Sequence, residues 1–506
     1  MGLVLRSLLI SAWLIGPFAL GMDTIGLAPL RAVAPGLVGT GVSVAQPEAG
    51  TPTWEVNPAA VAQPQNLFTW ISSTGTAAIF PNTVGLESGH ADAVAAFFYG
   101  APGGVAPGVA HVDNYEANYF YNSLIHKQTA IAAKVVNQSF IFGLEDPAVD
   151  RDYDNYAARY NTLFVSGAGN GGPVSSAATC YNGIGVGVTN APSSFGPTAD
   201  GRSKPDLVAS GGATSFSTPL VAGAAALLAQ AGAQGDGGAG TAAAATDARA
   251  IKALLLNGAV KPSDWTNSPT IPLDARYGAG VVNVFNSYLE LRGGKHAPTV
   301  STTVPVGGLH PPPANTNSIP FRRGWDFNSV SSTMTASGIN HYFFDLSAAT
   351  NAPFNLTATL QWFRQVNQTT LNNLDLFLFN ADNNALVASS ESLVDNTEHL
   401  FVHGLAPGRY DLQVLKNGGV RNTETYALAF EFGPPEPPRV SNAMFVGGQF
   451  QFRLLGEPNQ SYVIQATADF LSWTPIRTNS TSVQGFLDFS DPPSGSRRFY
   501  QASWRP

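Results

Sequence analysis

Short apolar runs alternate with stretches of helical period over residues 36–290. An apolar run between turn residues indicates a buried strand, and apolar positions three and four apart indicate a helix. Strands that alternate with helices predict an α/β domain in which a parallel sheet carries helices on both faces. The predicted strands are 42–45, 134–140, 161–166 and 183–189, and the predicted helices are 91–99, 119–133, 153–160, 219–230 and 246–257.

Beyond about residue 295 the helical period disappears and alternation with period two replaces it. Two proline-rich segments, 311–317 and 433–438, are interpreted as linkers. Short alternating runs separated by turn residues predict antiparallel β-sandwiches, here with strands at 341–346, 356–363, 374–379, 399–403, 410–414, 426–432, 450–454, 462–466 and 499–503. The predicted domains are a leader over 1–21, an α/β domain over 22–295, a β-sandwich over 312–433 and a small β domain over 439–506.

Composition narrows the classes of function. The net charge of −8 and the absence of any Lys/Arg run predict no nucleic-acid partner. Cys180 is the only cysteine, so an intramolecular disulfide is excluded, and its apolar surroundings favour a packed thiol over a reactive one. Neither a His-Glu-x-x-His motif nor a Cys-x-x-Cys pair occurs, which predicts no transition-metal site.

The first residues are typical of an export signal. Arg6 precedes an apolar stretch over 8–20, and Ala19-Leu20-Gly21 fits a small-x-small cleavage site. The alternative is a membrane anchor, which the short run and its Pro17 disfavour. We expect no later stretch to be long and apolar enough to span a membrane, and therefore an exported product without a membrane span.

One segment presents a serine at the start of an apolar helix. Residues 211–223 read GGATSFSTPLVAG, so a small-residue turn precedes Ser215, and Pro219 falls in the first turn of the predicted helix. Backbone amides at a helix N-terminus favour negative charge. Ser215 could therefore supply both a nucleophile and half of an oxyanion hole. The alternative is an ordinary Ser/Thr cap of a core helix.

Further segments resemble motifs of the subtilisin-like serine proteases, the subtilases, and they occur along this chain in the order that the family has. The resemblance covers about residues 36–290 and rests on the Ser215 segment together with Ser88-Gly89-His90-Ala91, Gly104-Val-Ala-Pro107, Gly167-Ala-Gly-Asn170-Gly, Lys204-Pro205-Asp206 and Gly278-Ala-Gly-Val-Val-Asn283. Several motifs in family order are far more specific than any one of them.

The resemblance implies an endopeptidase acting on extended polypeptides. It makes Ser215 the nucleophile, His90 the general base, and Asn170 an oxyanion donor beside the Ser215 amide. It also implies that substrate binds along the strand end Ser139, Phe140 and Ile141 and beside Gly169. No cofactor is expected from this chemistry.

The acidic member departs from the family pattern. The strand motif Gly39-Thr-Gly-Val-Ser-Val-Ala45 is present, but Gln46-Pro47-Glu48 follows where the family has an aspartate. Glu48 is the candidate third member, since glutamate fills this role in other hydrolases. Asp92 is the rival, but residues i and i+2 of a helix do not face each other.

Three substitutions keep a second class of function open. Ala213, Leu220 and Ala91 replace a glycine, a histidine and a glycine of the family pattern, and none of them removes a reacting group. Because alanine lacks the φ freedom of glycine, altered loop geometry is an alternative expectation. The alternative function is a catalytically silent subtilase fold used for binding or adhesion.

The β part resembles the pre-peptidase C-terminal domains of secreted bacterial peptidases, through Leu374-Asp-Leu-Phe-Leu-Phe and Gly404-Leu-Ala-Pro-Gly-Arg-Tyr-Asp-Leu. The resemblance implies a secreted or extracytoplasmic bacterial protein. Asp375 and Asp395 are candidate structural calcium ligands, although scattered aspartates in β loops usually form turns.

Trp473 and Tyr500 are candidates for surface or glycan contact, with core packing as the alternative. The segment 22–38 is expected to be too short for a folded prodomain. The sequence does not indicate an oligomeric state.

Overall fold

The structure, a computed structural model, describes residues 25–347, 353–434, 438–456, 461–469, 472–482, 485–492 and 498–504. The predicted leader over 1–21 lies outside these residues. The chain divides into two compact units, one containing most residues up to Tyr288 and the other most of the remainder. Each unit is described separately below.

The described residues of the first unit form ten strands, most of which are buried along most of their length. In chain order these are β1 (Ser43–Glu48), β2 (Thr53–Glu55), β3 (Phe68–Ser72), β4 (Gly75–Ala77), β5 (Leu86–Glu87), β6 (His111–Glu116), β7 (Val135–Gln138), β8 (Leu163–Gly167), β9 (Ile184–Val188) and β10 (Leu207–Ala209). Eight of them form one sheet in the order β10-β9-β8-β7-β1-β6-β3-β4. All its pairings are parallel except β3 with β4, which confirms the predicted α/β sheet.

Helices connect these strands. They are α1 (Leu27–Val33), α2 (Gly89–Phe98), α3 (Ala117–Tyr119), α4 (Pro147–Tyr160), α5 (Thr214–Ala233), α6 (Ala242–Ala245), α7 (Ala248–Asn257) and α8 (Val284–Arg292). Local chemistry sets their ends. In α4 the Asp146 side chain caps the Ala148 amide, proline occupies the first turn, and Asn161 ends the helix in the left-handed conformation at φ 54°.

The predicted helix over 119–133 is wrong. The chain forms only α3 and a π-helical stretch, Phe120–Ile125, because Gln128 adopts a φ of 55° that a helix does not tolerate. Strand β6 was missed because its sequence, HVDNYE, carries polar residues that are buried in the structure. The Asn114 side chain is buried because its polar atoms have partners. It donates to the Gln46 carbonyl and accepts from the Val56 amide, both at 2.8 Å.

By length and composition, helix α5 could span a membrane. The sequence predicted that no segment after the leader would be long and apolar enough for this, and that prediction is wrong. The reason lies in its position. Of the most apolar window of 18 residues, 89 % is buried inside the molecule, as in the core helix of an α/β domain. The helix is apolar all round because protein surrounds it.

The second unit contains a sandwich of two antiparallel sheets. Its strands are β11 (Val300–Pro305), β12 (Arg323–Ser332), β13 (Ala336–Asp345), β14 (Phe354–Trp362), β15 (Leu374–Asn380), β16 (Ala385–Ser390), β17 (Thr397–Leu405), β18 (Arg409–Lys416) and β19 (Asn422–Gly433). The sheets have the orders β11-β13-β18-β15-β16 and β12-β19-β14-β17, and a shared apolar core lies between them. Strand β11 pairs with β13, so this sheet begins before residue 312, the predicted start of the sandwich.

The C-terminal part of the second unit forms two three-stranded sheets. Its strands are β20 (Arg439–Val446), β21 (Gln449–Leu455), β22 (Ser461–Thr467), β23 (Thr474–Ser480), β24 (Phe486–Asp491) and β25 (Phe499–Trp504), in the orders β20-β21-β24 and β23-β22-β25. Tyr500 packs against the small core here, its ring stacked 4.9 Å from that of Phe450. Its ring therefore serves core packing, the alternative weighed for it in the sequence.

Candidate active site

The carboxylate at the end of β1 lies against a histidine at the start of α2. Glu48 is 1 % exposed, and its Oε2 lies 2.9 Å from Nδ1 of His90. Helix α2 begins after Ser88, whose hydroxyl caps the Ala91 amide and so fixes the turn that carries His90. The imidazole remains 42 % exposed. The hydrogen bond that His90 donates to Glu48 raises the pKa of His90 above the usual histidine value, against the opposing effect of burial.

Gln46 holds the other oxygen of the same carboxylate. Residues two apart on a strand share a face, so Gln46 and Glu48 point to the same side of the sheet. The Gln46 Nε2 donates to Glu48 Oε1 at 2.9 Å and to the Ala91 carbonyl at 3.0 Å. Its Oε1 accepts from the Tyr99 hydroxyl at 2.6 Å. A buried chain of hydrogen bonds therefore leads from Tyr99 through Gln46 and Glu48 to the imidazole.

Asp92, the rival acidic residue, makes a different contact. Its Oδ1 accepts a hydrogen bond from the Asn57 amide at 2.7 Å. Burial raises the pKa of Asp92 to about 6. Among the described residues, Asp92 has no hydrogen bond to His90. The structure brings Glu48, and not Asp92, to the imidazole.

Ser215 is the second residue of α5, within the first helical turn rather than before it as the sequence suggested. The first four amides of a helix have no partner within the helix, and Ser215 carries one of them. The turn before Ser215 is tight and is fixed by a glycine conformation and by hydrogen bonds to Asn190. Gly212 has a φ of 77°, and the amides of Gly211 and Gly212 donate to Asn190 Oδ1 at 3.1 and 3.0 Å. The serine is thus fixed at a helix N-terminus.

Asn170 is tied to the residue before the serine. Its Oδ1 accepts from the Thr214 amide at 2.8 Å and from the Thr214 hydroxyl at 3.0 Å. The side-chain oxygen is thereby committed, which leaves the amide nitrogen of Asn170 as the donor end. Asn170 is exposed, so its amide nitrogen is open to solvent. Its donor group and the Ser215 amide flank the same helix start.

The end of β7 meets the serine directly. Ser139 Oγ donates to the Ser215 carbonyl at 2.8 Å, and Ser215 Oγ donates to the Ser139 carbonyl at 3.4 Å. In this structure the Ser215 hydroxyl is therefore bonded to Ser139 and not to His90. Phe140 is half-buried and Ile141 is 49 % exposed. Gly169 has a φ of 113°, and a Cβ there would lie 2.6 Å from Ser194 Oγ.

Phe216 brings the serine and histidine segments together. Its ring centroid lies 6.1 Å from that of His90 and 5.6 Å from that of Phe97, which is also in α2. Phe216 follows Ser215 directly in the sequence. The start of α5 and the start of α2 therefore meet near the carboxyl end of β1, an interior strand of the sheet.

The three departures from the family pattern are accommodated locally. Ala213 caps α5 with a φ of −160°, an extended conformation open to any residue, so the glycine freedom is not needed there. Leu220 and Ala91 are fully buried in helices. Alanine is thus unstrained at position 213 of this turn.

Lys204 and Asp206 form part of a buried charge cluster. Asp206 Oδ2 lies 2.6 Å from Lys204 Nζ, and Oδ1 lies 2.9 Å from Lys252 Nζ. Burial alone would raise the pKa of Asp206, but the two lysine charges hold it below its usual value. The cluster anchors the segment before β10, and its third member, Lys252, was not identified from the sequence.

No set of three or more His, Cys, Asp or Glu side chains that could hold a metal ion occurs within the described ranges. Of the two candidate calcium ligands, Asp375 accepts from Asn417 at 2.6 Å and Asp395 from Ser392 at 2.8 Å. Both carboxylates thus have protein partners.

A match to a known protein family covers most of the α/β unit. Residues 76–280 match the model of the subtilase family, Peptidase_S8. The matched subtilase segment contains His90, Asn170 and Ser215, whereas Glu48 lies outside it. A search of the curated proteins found no match. The family match and the predicted resemblance therefore agree on this segment, and the match does not extend to the β part.

The solved structures similar to the chain include tripeptidyl peptidase 2 (TPP II) and MycP1. Tripeptidyl peptidase 2 (TPP II) is 14 % identical with a TM-score of 0.31, and the similarity covers 76 % of this chain and 43 % of that one. The chain thus spans less than half the length of that protein. MycP1, a serine protease described as an essential component of the type VII (ESX-1) secretion system, is 17 % identical with a TM-score of 0.38, covering 55 % of this chain and 90 % of that one.

Proposed function

We propose that the protein is a serine endopeptidase in which Ser215, His90 and Glu48 form the catalytic triad. The observation that carries the proposal is the 2.9 Å contact between the buried Glu48 carboxylate and His90 Nδ1. A carboxylate there fixes the imidazole tautomer with Nε2 free to accept a proton. The subtilase match over residues 76–280 supports serine peptidase chemistry independently of this contact.

Catalysis begins with a change of partner for the serine. The Ser215 hydroxyl leaves the Ser139 carbonyl, to which its bond is long at 3.4 Å, and donates to His90 Nε2. Catalytic hydrogen bonds are often loose before substrate binds. His90 takes the proton while Ser215 Oγ attacks the scissile carbonyl carbon. The imidazolium that forms is stabilised by Glu48.

The tetrahedral oxyanion is stabilised by the Asn170 amide nitrogen and the Ser215 backbone amide. The intermediate collapses as His90 gives its proton to the leaving amine, which leaves an acyl-enzyme on Ser215. A water molecule, deprotonated by His90, then attacks the ester carbonyl. Breakdown of this second intermediate returns the proton to Ser215 Oγ and releases the acid product.

Gln46 holds the Glu48 carboxylate in the position from which it orients His90. One methylene longer than aspartate, the Glu48 side chain has more rotamers to lose, and the bond from Gln46 to Oε1 restricts them. Gln46 is a positioning residue in this account, with Tyr99 fixing the orientation of its amide. Gln46, two residues before Glu48 on β1, therefore holds the carboxylate in the position from which it orients His90.

We propose extended polypeptides as substrates. A chain that adds as a strand beside Ser139, Phe140 and Ile141 would form main-chain hydrogen bonds and reach the Ser215 hydroxyl. We also propose that Gly169, next to Asn170, contacts the substrate. We also propose secretion or another extracytoplasmic location, on the basis of the signal-like sequence over 1–21.

Casein hydrolysis by the purified chain tests the proposal. We expect activity in the wild type and none above background in Ser215→Ala, with the fold retained by circular dichroism. Ser217→Ala, two residues along the same helix, is the matched control. A wild type without any activity on casein and on denatured proteins, or wild-type activity in Ser215→Ala, would favour the silent binding function instead.

A further inference from the structure

The outer face of the five-stranded sheet contains a cavity that is lined by residues of the second unit alone. Its volume is about 530 Å³. Asp375, Phe377 and Phe379 alternate along β15, so all three point to this face, opposite the sandwich core. Ligand pockets in proteins typically range from about 300 to 1,000 Å³. The cavity is therefore large enough for a single amino-acid side chain and its backbone.

One end of the cavity is acidic. Asp375 is 6 % exposed, and its Oδ2 accepts from Asn417 Nδ2 at 2.6 Å. Its Oδ1 has no hydrogen-bond partner in the part of the chain that the structure describes. Glu391 lines the same cavity. Burial, reinforced by the Glu391 charge and opposed by the Asn417 and Asn373 side chains, raises the pKa of Asp375 to about 7. A buried carboxylate oxygen without a partner is costly, and a donor supplied by a ligand would remove that cost.

The rest of the cavity is apolar and aromatic. Phe377 and Phe379 form one wall, and the His310 ring lies 4.4 Å and 5.5 Å from their centroids. His310 Nδ1 is engaged with Gln413 Oε1 at 2.9 Å. Leu386 lies at the cavity and is 53 % exposed. No lysine or arginine is among the lining residues within the described ranges.

We propose that this cavity binds a primary ammonium group attached to an apolar side chain. The ammonium would donate to Asp375 Oδ1 and be attracted by Glu391, while the apolar part would contact Phe377 and Phe379. In a peptide, that chemistry belongs either to a hydrophobic N-terminal residue or to a lysine side chain. A metal ion fits less well, since calcium requires six to eight oxygen ligands. This site goes beyond the proposed function and does not depend on it.

The test is calorimetric titration of the full chain with three small probes. Phenylalanine amide presents an N-terminal ammonium, Nα-acetyl-lysine amide a side-chain ammonium, and N-acetyl-phenylalanine amide neither. We expect one or both amines to bind and the acetylated phenylalanine to bind at least about tenfold more weakly. Which amine binds more tightly distinguishes an N-terminus from a lysine side chain.

Variants connect the binding to the cavity. Asp375→Asn should weaken the amine by at least about tenfold, whereas Asp345→Asn, at an exposed position on β13, should not. Leu386→Lys places a competing ammonium at the cavity from an exposed position and should also weaken binding, even if Asp375→Asn folds poorly. Ser215→Ala should bind the amine like the wild type, which separates this site from the proposed peptidase.

The proposal is overturned if no amine binds, or if the acetylated phenylalanine binds equally well. It is also overturned if neither Asp375→Asn nor Leu386→Lys changes the affinity. Binding of Ca²⁺ that requires Asp375, without binding of either amine, would make this a calcium site instead.

Discussion

The two units of the molecule each contain a histidine bonded through Nδ1 to a carboxylate, in nearly the same geometry. The distance is 2.9 Å for His90 and Glu48 in the α/β unit, and 2.8 Å for His341 and Asp411 in the sandwich. A glutamine two positions away on the same strand donates to each carboxylate, Gln46 in the first pair and Gln413 in the second.

The two pairs differ in what surrounds the second imidazole nitrogen. His341 is 1 % exposed, and its Nε2 is bonded to the Thr302 hydroxyl at 2.7 Å. That order of hydroxyl, imidazole and carboxylate matches a catalytic triad. The Thr302 hydroxyl, however, belongs to a strand and not to a helix N-terminus. His90 is 42 % exposed, and within the described chain its Nε2 has no hydrogen-bond partner.

The comparison shows that a histidine–carboxylate pair does not by itself make a catalytic site. Reaction needs an accessible Nε2, a nucleophile that can change partner, and donors for the oxyanion. Of the two pairs compared, only His90 and Glu48 lie with the residues that could supply all three, namely His90, Ser215 and Asn170. The pair in the sandwich is expected to stabilise the fold, and the predictions below test this division.

The largest expected difference is between the two hydroxyls. Ser215→Ala should lower kcat on a peptide substrate by about 10⁶-fold, since loss of the nucleophile leaves only binding and the oxyanion hole. Thr302→Ala should leave kcat unchanged. Single-turnover and steady-state assays of both variants measure the effect. Equal losses in the two variants would contradict the division between the two pairs.

The two carboxylates should differ next. Glu48→Gln should lower kcat by about 10⁴-fold, because an amide favours the wrong imidazole tautomer. Glu48→Asp should lose less if His90 can follow the shorter side chain. Asp411→Asn should leave kcat unchanged. If Glu48→Gln is fully active and Asp92→Asn is inactive, the acidic role belongs to Asp92.

For stability, the carboxylate in the sandwich should matter, although it does not affect kcat. Asp411→Asn leaves a buried imidazole without its charged partner and should lower the free energy of unfolding of the sandwich by about 3 kcal/mol. Hydrogen exchange of the β13 and β18 amides, measured by mass spectrometry, follows this unit specifically. Asp345→Asn is the exposed control. An Asp411→Asn variant with unchanged protection would show that the pair contributes nothing to the fold.

The supporting glutamines give a smaller contrast. Gln46→Leu leaves Glu48 Oε1 and the Tyr99 hydroxyl without their buried partner and should lower kcat by about tenfold to a hundredfold, with KM little changed. Gln413→Leu should not affect kcat. A Gln46→Leu variant that loses stability but keeps wild-type kcat would reduce Gln46 to a structural residue.

The pH dependence provides the finest test. His90 accepts a proton only when neutral, so kcat/KM should fall as the pH falls through its pKa. Glu48 raises that pKa, which places the acid limb above the usual histidine value. Removing the carboxylate in Glu48→Gln should move the limb to lower pH, and Gln46→Leu should move it in the same direction by less. An unmoved limb in both variants would assign it to another group.

The local motifs were predictable from sequence, and the supporting contacts were not. The glycine-rich turn before Ser215 and the capped start of α2 are set by neighbouring residues, which makes Ser215 and His90 recognisable in the chain. Gln46 and Tyr99 are 53 positions apart, and only the fold brings them into contact. The signal that remained in the sequence was the pair of polar residues at alternating positions of a strand that is otherwise apolar.

The elements missed or mispredicted have the same cause. Strand β6 is polar because Asn114 bonds the backbone of Gln46, so tertiary contacts override its weak strand pattern. The helical stretch predicted over 119–133 ends at Ile125, and Gln128 then adopts a left-handed conformation at a position where the sequence has neither glycine nor asparagine. In both cases the local pattern was outweighed by interactions that it does not encode.

Labelling with a fluorophosphonate probe, followed by peptide mapping, tests the central claim most directly. The probe reacts with a serine hydroxyl only where an adjacent base activates it. The account predicts one labelled residue, Ser215, with labelling lost in His90→Ala, sharply slowed in Glu48→Gln and unaffected in Asp411→Asn. An unlabelled wild-type protein that is folded, or a label on Thr302, would contradict the assignment of the active site to the α/β unit.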